Sequence, residues 1–224
     1  MNFDFFDGET TVQKTADVAQ LVIAGWAGRN KAALEMHIAE LEKAGIPRPK
    51  VTPEFYHVGS SLLTQESEIQ VSSTSSSGEV EAIILNAADG KWVGLGSDHT
   101  DRKLEATSVL LSKQVCPKPI SRSLWRFAEV EGHWDEIELR SWRVDGSERS
   151  LYQEGSLAAN RHPKELIELY EQRGNQFRTG TVMFCGTLPA RSEISFSAGF
   201  EIELYDPVLK RRINHAYNTI ALPG

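Results

Sequence analysis

The pattern of apolar and polar positions predicts a chain built mainly of β-strands. Short apolar or alternating runs, bounded by glycine, asparagine, aspartate and serine, recur along the chain and are typical of strands. The dipeptides Asp89-Gly90 and Asp145-Gly146 are typical of tight hairpin turns. The predicted strands cover residues 1–6, 18–25, 79–86, 91–95, 136–144, 181–186 and 200–205.

Two segments have the spacing of an amphipathic helix. Residues 30–44 carry apolar side chains at helical intervals, begin at Asn30, a favourable N-cap, and end before Gly45. Residues 163–173 begin with Pro163, which suits the first turn of a helix. A strand-dominated chain with few helices predicts an α+β fold that is built on a β-sandwich or barrel.

Composition and charge restrict the class of protein. The 224 residues carry a net charge of −7, so the chain lacks the basic surplus that nucleic acids or anionic membranes attract. The two cysteines, Cys116 and Cys185, are too few for a disulfide framework and favour a reducing compartment. The sequence starts without a basic signal-peptide region, and no apolar run reaches the roughly 20 residues that span a bilayer. We therefore expect a cytoplasmic protein without nucleic-acid or membrane partners.

Two carboxylates lie close together on the predicted strand 79–86. Side chains two apart on a strand point to the same face, so Glu79 and Glu81 project side by side while Val80 is buried on the other face. Neighbouring like charges repel, and a hard divalent cation such as Mg²⁺, Mn²⁺ or Ca²⁺ would offset that repulsion. The alternative is an edge strand with a hydrated acidic face.

The segment after the predicted strand 91–95 carries a second group of polar side chains. Asp98 could supply a third oxygen ligand, and Arg102 could bind a substrate carboxylate through a bidentate pair. The alternative is a hydrated turn in which Asp98 accepts a local hydrogen bond and Arg102 pairs with Asp101. The sequence pattern leaves both interpretations open.

Two further motifs carry candidate chemistry. His37 and Glu40 share a helix face, where the carboxylate would make the imidazole a better base; the alternative is an ordinary surface pair. Gly186 and Thr187 follow a predicted strand, where the glycine permits close approach of a ligand and the threonine offers a hydroxyl. The alternative for these two residues is a plain strand-to-loop turn.

Lysines bracket the dipeptide Cys116-Pro117. Lys113 or Lys118 could anchor a carboxylate, although an exposed lysine is the default expectation. The cysteines do not have the paired spacing of a zinc site, and the chain has neither a Gly-x-Ser-x-Gly elbow nor a phosphate-binding glycine loop. These absences direct attention to the carboxylates.

The order of these motifs along the chain resembles the fumarylacetoacetate hydrolase (FAH) superfamily. Its members carry, in order, a Gly-Arg-Asn, a His-x-x-Glu lid, a Glu-x-Glu, an Asp-x-Ser-x-Arg, a lysine and a Gly-Thr-Pro. The whole set of motifs in this order would arise by chance far more rarely than any single motif. The corresponding segments are Gly28-Arg29-Asn30, His37-x-x-Glu40, Glu79-x-Glu81, Asp98-His99-Thr100-Asp101-Arg102, Lys113 and Gly186-Thr187-Leu188-Pro189.

The resemblance implies a mixed β-sandwich/roll fold with few helices, a homodimer, and a bound Mg²⁺ or Mn²⁺ ion, with Ca²⁺ as a further candidate. It implies that the metal is held by Glu79, Glu81 and Asp98. It also implies roles for further residues, which are His37, Glu40 and Lys113 in catalysis and Arg29, Arg102, Gly186 and Thr187 in substrate binding.

The chain departs from the family pattern at several places. His37 follows Asn30 by 7 positions, whereas the family motif usually has about four. The interval from Glu81 to Asp98 is shorter than usual and lacks room for the small helix of the family. An inserted Leu188 interrupts the Gly-Thr-Pro motif. These changes predict a divergent branch with a substrate of its own.

The leading hypothesis is a metal-dependent hydrolase or lyase that acts on a small 2-oxo acid or a 1,3-dicarbonyl or enol carboxylate. We expect the catalytic domain at residues 51–224, after N-terminal strands and a lid-like helix in residues 1–50. One alternative is a non-catalytic protein that binds a small carboxylate on the same scaffold. Another is a structural or oligomeric protein whose acidic cluster is a hydrated face.

Overall fold

Most of the regular backbone in the computed structural model is β-strand, and the structure describes residues 1–43, 45–191 and 194–223. The helices are α1 (Lys31–Lys43), α2 (Arg102–Glu105), α3 (Val109–Gln114), α4 (Phe127–Val130) and α5 (Pro163–Gln172), with 3₁₀ turns at Ser60–Leu62, Glu131–Glu136 and Leu157–Ala159. The strands are β1 (Asn2–Phe6), β2 (Thr11–Thr15), β3 (Gln20–Gly25), β4 (Glu54–Val58), β5 (Leu63–Thr64), β6 (Glu68–Val71), β7 (Ser76–Ser77), β8 (Val80–Ala87), β9 (Gly90–Ser97), β10 (Thr100–Asp101), β11 (Lys118–Pro119), β12 (Ser123–Arg126), β13 (Glu138–Asp145), β14 (Glu148–Ser156), β15 (Thr181–Phe184), β16 (Gly199–Asp206) and β17 (Arg211–Ala221).

Two mixed sheets form the body of the molecule. The larger is eight-stranded, in the order β2-β1-β12-β9-β8-β15-β3-β4, and the smaller is five-stranded, in the order β14-β13-β16-β17-β6. The pairs β7–β10 and β5–β11 are short separate ladders. This architecture confirms the predicted strand-dominated α+β fold. Strands from residues 1–50 lie in the same sheet as strands from residues 51–224.

The core between the two sheets is built on the alternation of side chains along β8. Val80, Ala82 and Ile84 are fully buried on one face of β8, where they belong to the same apolar cluster as Leu139 and Ile202 from the smaller sheet. Burial of apolar surface is the main favourable contribution to folding. The strand is buried on both faces, which is why it reads as a nearly continuous apolar run.

The opposite face of β8 lies in a second cluster. Ile83 and Leu85 pack there with Phe3, Phe5 and Leu124, and nearly every strand of the larger sheet contributes to this cluster. The larger sheet therefore wraps around its own apolar interior. Side chains two apart on a strand share a face, so Glu81 lies on the same face of β8 as this interior.

Both predicted helices are confirmed, and they differ in how much they bury. Asn30 caps α1, since its Oδ1 accepts hydrogen bonds from the amides of Ala32 and Ala33 at 3.0 and 3.1 Å. Helix α5 packs several apolar side chains into the core, whereas Ile38 is the buried residue of α1. In the part of the chain that is described, no helix is long and apolar enough to cross a membrane.

Several strands are not predicted by the sequence pattern, among them β2, β14 and β17. In β17 the buried positions Ile213, Tyr217 and Thr219 alternate with more exposed ones, which include Ile220. The alternation is weak in the sequence because the polar Thr219 is buried whereas the apolar Ala216 and Ile220 are exposed. Pairing with β16 along its whole length decides that this segment is a strand.

Gly96 provides a test of the packing around the larger sheet. A Cβ at this position would lie 2.8 Å from the Phe184 ring and 3.0 Å from Ile120. Gly96→Ala should therefore lower the free energy of unfolding by about 1–3 kcal/mol in urea titrations, because overpacking strains a closed core. Gly132→Ala is the matched control, since no atom lies within 4 Å of its added Cβ, and equal effects in the two variants would contradict the packing argument.

Candidate metal centre

Three carboxylates converge at one end of the β8–β9 hairpin. Val80 pairs with Ser97, so Glu79 and Asp98 lie opposite each other just outside the strands, and the Asp98 amide donates to the Glu79 carbonyl at 2.9 Å. Glu81 adds a third carboxylate, and one oxygen from each of the three lies within 4.8 Å of the others. The antiparallel register therefore assembles the group that the sequence predicted.

Burial makes this concentration of negative charge costly. Glu81 and Asp98 are 3% and 0% exposed. Burial, together with the charge of Asp98, raises the pKa of the Glu81 carboxyl well above its ordinary value. The Gly186 amide offsets part of this cost by donating a hydrogen bond to Glu81 Oε2 at 2.6 Å. Carboxylates held in this way favour a bound cation.

Asp98 is held between two buried lysines. Lys113 Nζ donates a hydrogen bond to Asp98 Oδ2 and lies 3.7 Å from Glu79 Oε2. Lys118 Nζ lies 3.0 Å from Asp98 Oδ1 and donates to the His99 carbonyl at 2.5 Å. Burial alone would raise the pKa of Asp98, but the two ammonium charges outweigh burial and lower it to about 2. Both lysines left open by the sequence thus contact the carboxylates, and Lys113 also lines the adjacent cavity.

Arg102 links the metal-ligand candidates to helix α2. Its Nη2 lies 3.0 Å from Glu79 Oε1, and its Nη1 lies 3.1 Å from Glu105 Oε2. Burial alone would lower the pKa of Arg102, but the charges of Glu79 and Glu105 outweigh burial and raise it. Asp101 does not pair with Arg102 in this way, since its Oδ1 accepts from the Leu104 amide at 2.9 Å and caps α2. The Arg102 guanidinium thus forms ion pairs with two carboxylates.

Gly186 and Thr187 lie at the predicted position beside the carboxylates. Gly186 has a φ of 98°, a conformation that favours glycine. Thr187 Oγ1 donates to the Val80 carbonyl at 2.9 Å and accepts from Gln153 Nε2 at 2.8 Å. The Gly-Thr turn thereby fixes the backbone amide that contacts Glu81.

The structure brings some predicted residues to the site and not others. His37 lines the cavity at an exposed position of α1, with its ring 6.2 Å from that of Trp26. Glu40 is exposed, and no hydrogen bond or ion pair joins it to His37 in the described structure. The structure places Arg29 outside the cavity, since its guanidinium is committed to Asp135 at 2.6 and 2.7 Å. Arg29 thus forms a surface ion pair with Asp135, and its role in substrate binding stays a prediction.

A cavity of about 400 Å³ opens above the carboxylates. Its volume lies in the range of pockets that bind small molecules. Charged side chains, among them Glu79 and Arg102, line one part of it, and the remaining lining is mostly apolar with His37 and several amide and hydroxyl side chains among it. The sequence pattern does not single out several lining residues, which include Trp26, Tyr56, Glu105, Tyr152 and Asn160. The alternation of Tyr56 and Val58 along β4 is the signal that could have indicated an inward-facing tyrosine.

The residues present fit a hard divalent cation. All three candidate ligands are carboxylates, the donors that Mg²⁺, Mn²⁺ and Ca²⁺ prefer. Burial is the main cause of the raised pKa of Glu81, and the charges of Asp98 and Glu79 add to it, so a dication beside Glu81 would favour its ionised form. Glu79, Glu81 and Asp98 would hold such an ion.

Asp98→Asn should destabilise the protein strongly, because it leaves Lys113 and Lys118 buried without the carboxylate between them. Removing one partner of a buried pair costs about 3–5 kcal/mol, measured as the loss of unfolding free energy in urea. Asp135→Asn is the matched control, since the Arg29–Asp135 pair is exposed and should contribute about 1 kcal/mol or less. Similar losses in both variants would argue against a structural role for the buried cluster.

Comparison with known proteins identifies solved structures that share this fold at low sequence identity. No curated protein matches the chain. A protein from Yersinia pestis CO92 assigned to the fumarylacetoacetate hydrolase family is 18% identical, with a TM-score of 0.65 over 97% of this chain and 100% of that one. A 2-keto-3-deoxyarabinonate dehydratase is 14% identical, with a TM-score of 0.64 over 93% and 76%. A 5-carboxymethyl-2-hydroxymuconate delta-isomerase from Mycobacterium smegmatis is 13% identical, with a TM-score of 0.65 over 93% and 81%.

These similarities establish the fold, as the sequence resemblance predicted. The sequence itself matches one protein family, described as "Protein of unknown function (DUF2848)", over residues 24–217. That match covers most of the chain. The chain therefore belongs to the DUF2848 family and has the fold of the fumarylacetoacetate hydrolases.

Proposed function

We propose that the protein is a divalent-metal-dependent enzyme that acts on a small 2-oxo acid or a related 1,3-dicarbonyl or enol carboxylate. The observation that carries this proposal is the convergence of Glu79, Glu81 and Asp98 within 4.8 Å beside a cavity large enough for a small molecule. The hydrolase, dehydratase and isomerase names of the proteins that share this fold support the same general kind of chemistry.

The metal would be Mg²⁺ or Mn²⁺, with Ca²⁺ as a further candidate, held by Glu79, Glu81 and Asp98. When bound, such an ion acts as a Lewis acid for the oxygens of a chelating 2-oxo carboxylate. Side chains of the protein supply further positive charge beside the metal. Arg102 and Lys113 line the cavity beside these ligands, so they are positioned to hold substrate oxygens on which negative charge develops.

Proton transfer falls to His37 in this proposal. In hydrolysis of a 2,4-dioxo acid, water adds to C4, the C3–C4 bond breaks, and C3 takes up a proton. His37 is an imidazole that lines the cavity, and a histidine suits both proton transfers near neutral pH. His99 is unsuitable because burial lowers its pKa to about 3 and its ring is bonded to Ser76 and Tyr217.

Among the reactions that this site could support, we prefer hydrolysis or lysis over isomerisation. Hydrolase and dehydratase names among the proteins that share this fold support this preference. Glu40 would assist His37. The Thr187 amide would contact the substrate, since the Gly186 amide and the Thr187 hydroxyl already donate to Glu81 and Val80. The homodimer and the cytoplasmic location stay predictions.

A second candidate is a protein that binds a small carboxylate without turning it over. The observation that favours it is the separation of the predicted proton-transfer pair, because His37 and Glu40 are both exposed and not bonded to each other in the described residues. This candidate needs the metal centre and does not need His37.

Metal binding tests the shared part of both candidates. Mg²⁺ or Mn²⁺ should raise the thermal midpoint of metal-stripped protein, because a ligand that binds the folded state at a hundred times its Kd stabilises it by about 2.7 kcal/mol. Oxalate should add to this shift only when metal is present. Glu79→Gln or Glu81→Gln should abolish both shifts. Glu68→Gln, at an exposed position of β6, is the control and should leave them unchanged. No shift with Mg²⁺, Mn²⁺ or Ca²⁺ in the unaltered protein would refute the metal centre.

Turnover separates the two candidates. With metal and a panel of 2,4-dioxo acids, the unaltered protein should release a 2-oxo acid, and His37→Ala should lower kcat by roughly 10²–10⁴-fold. Oxalate binding should survive this change because His37 is not a metal ligand. Binding of oxalate without turnover of any panel member would favour the second candidate, and full activity in His37→Ala would remove the histidine from the mechanism.

A further inference from the structure

The cavity has two chemically different parts. Its charged part surrounds the carboxylates of the candidate metal centre. Its other part, here called the apolar wall, consists of Trp26, Leu34, Leu41, Tyr56 and Val109. A ligand of the size of pyruvate would contact only the charged part, which offers the groups that bind a 2-oxo carboxylate. The second part would be left without a ligand.

The aromatic half of the apolar wall is fixed in place. Trp26 has a φ of 57°, which is uncommon for a residue other than glycine. Its indole nitrogen donates a hydrogen bond to the Tyr56 hydroxyl at 3.0 Å, and that hydroxyl donates to Glu54 at 3.1 Å. The polar ends of both rings are therefore satisfied by each other and by Glu54. What remains of these side chains to offer a ligand is apolar ring surface.

The aliphatic half of the apolar wall comes from helix α1. Leu34 and Leu41 lie two turns apart on the cavity side of the helix, and both are only partly buried. A ligand that covers partly buried leucines on a cavity wall binds more favourably, because apolar surface is then removed from water. Helix α1 thus leaves part of its apolar face to a ligand, whereas α5 packs its own face into the core.

Charge argues against a second carboxylate at this end of the ligand. Among the described lining residues, Arg102 and Lys113 carry the positive charges, and each already pairs with carboxylates of the site. The acids Glu79, Glu81 and Glu105 are also on the lining, and the His37 imidazole lies there with its ring 6.2 Å from that of Trp26. A distal carboxylate would therefore lie against apolar surface without an unpaired lysine or arginine from the described lining, which is unfavourable.

We infer that the site takes a 2-oxo monocarboxylate whose other end is an uncharged apolar chain or ring that lies against the apolar wall. This inference rests on the proposed function, since the metal centre would hold the oxo-acid end. It adds that substrates with a second terminal carboxylate are rejected. Leu41 is then a specificity-determining residue at the apolar end.

Three oxamates test this inference by isothermal titration of the Mn²⁺-loaded protein at pH 8, where imidazoles are mostly neutral. Oxamate presents the head group alone, N-hexyloxamate adds an apolar arm, and N-(5-carboxypentyl)oxamate ends the same arm in a carboxylate. N-hexyloxamate should bind roughly tenfold or more tighter than oxamate, because several methylenes leave water. The carboxylated compound should bind roughly tenfold or more weaker than the hexyl compound.

Two variants of α1 sharpen the test. Leu41→Arg should narrow or reverse the preference for the hexyl arm, because it introduces a cation beside the position of the distal carboxylate. Met36→Arg adds the same charge to the same helix at a 66% exposed position outside the cavity lining, and should preserve the order of the three ligands.

The outcomes separate this inference from the proposal on which it rests. If oxamate binds but the hexyl arm adds nothing, or the carboxylated arm binds as well as the hexyl arm, this inference is wrong and the metal centre stands. If oxamate itself fails to bind in the presence of Mn²⁺, the proposed function fails and this inference falls with it. If Leu41→Arg and Met36→Arg change the order equally, Leu41 has no specific role.

Discussion

Buried negative charge is the constraint that organises this end of the molecule. Burying a carboxylate is costly unless cations and hydrogen bonds compensate for the lost hydration. Here Asp98 is fully buried, and two lysines reach it from α3 and β11. Through these ion pairs the segment after β10 is tied to the β8–β9 hairpin. Lys113 also lies near Glu79, and the Gly186 amide holds Glu81, so the stability of this region and the candidate metal centre have a common physical basis.

The second feature of the site is the contrast between its charged part and its apolar wall. The contrast has a structural origin, because the larger sheet wraps around an apolar cluster and the carboxylates lie at the end of that interior. A cavity at this junction is charged on one side and apolar on the other. Such a site suits ligands with a polar head and an apolar arm, since each part of the ligand meets surface of its own kind.

Much of the fold could be predicted because its signals are local. Helix α1 begins where Asn30 can cap it, and β8 is a continuous apolar run because both of its faces are buried. Local patterns do not predict the strand β17, because this segment forms a strand only through its pairing with β16. Among the site residues, the family resemblance pointed to Glu79, Glu81 and Asp98, and the register of the β8–β9 hairpin is what brings them together.

The sequence by itself determined the classes of element, the acidic motifs and their resemblance to a known superfamily, because these depend on side-chain order and spacing. Tertiary structure alone decided which groups meet. It separated Arg29 from the site by pairing it with Asp135, brought Lys118 to Asp98 beside Lys113, and made Trp26 and Tyr56 a wall of the cavity. The physical reason is that ion pairs and cavity surfaces depend on distances between segments far apart in the chain, which local patterns do not encode.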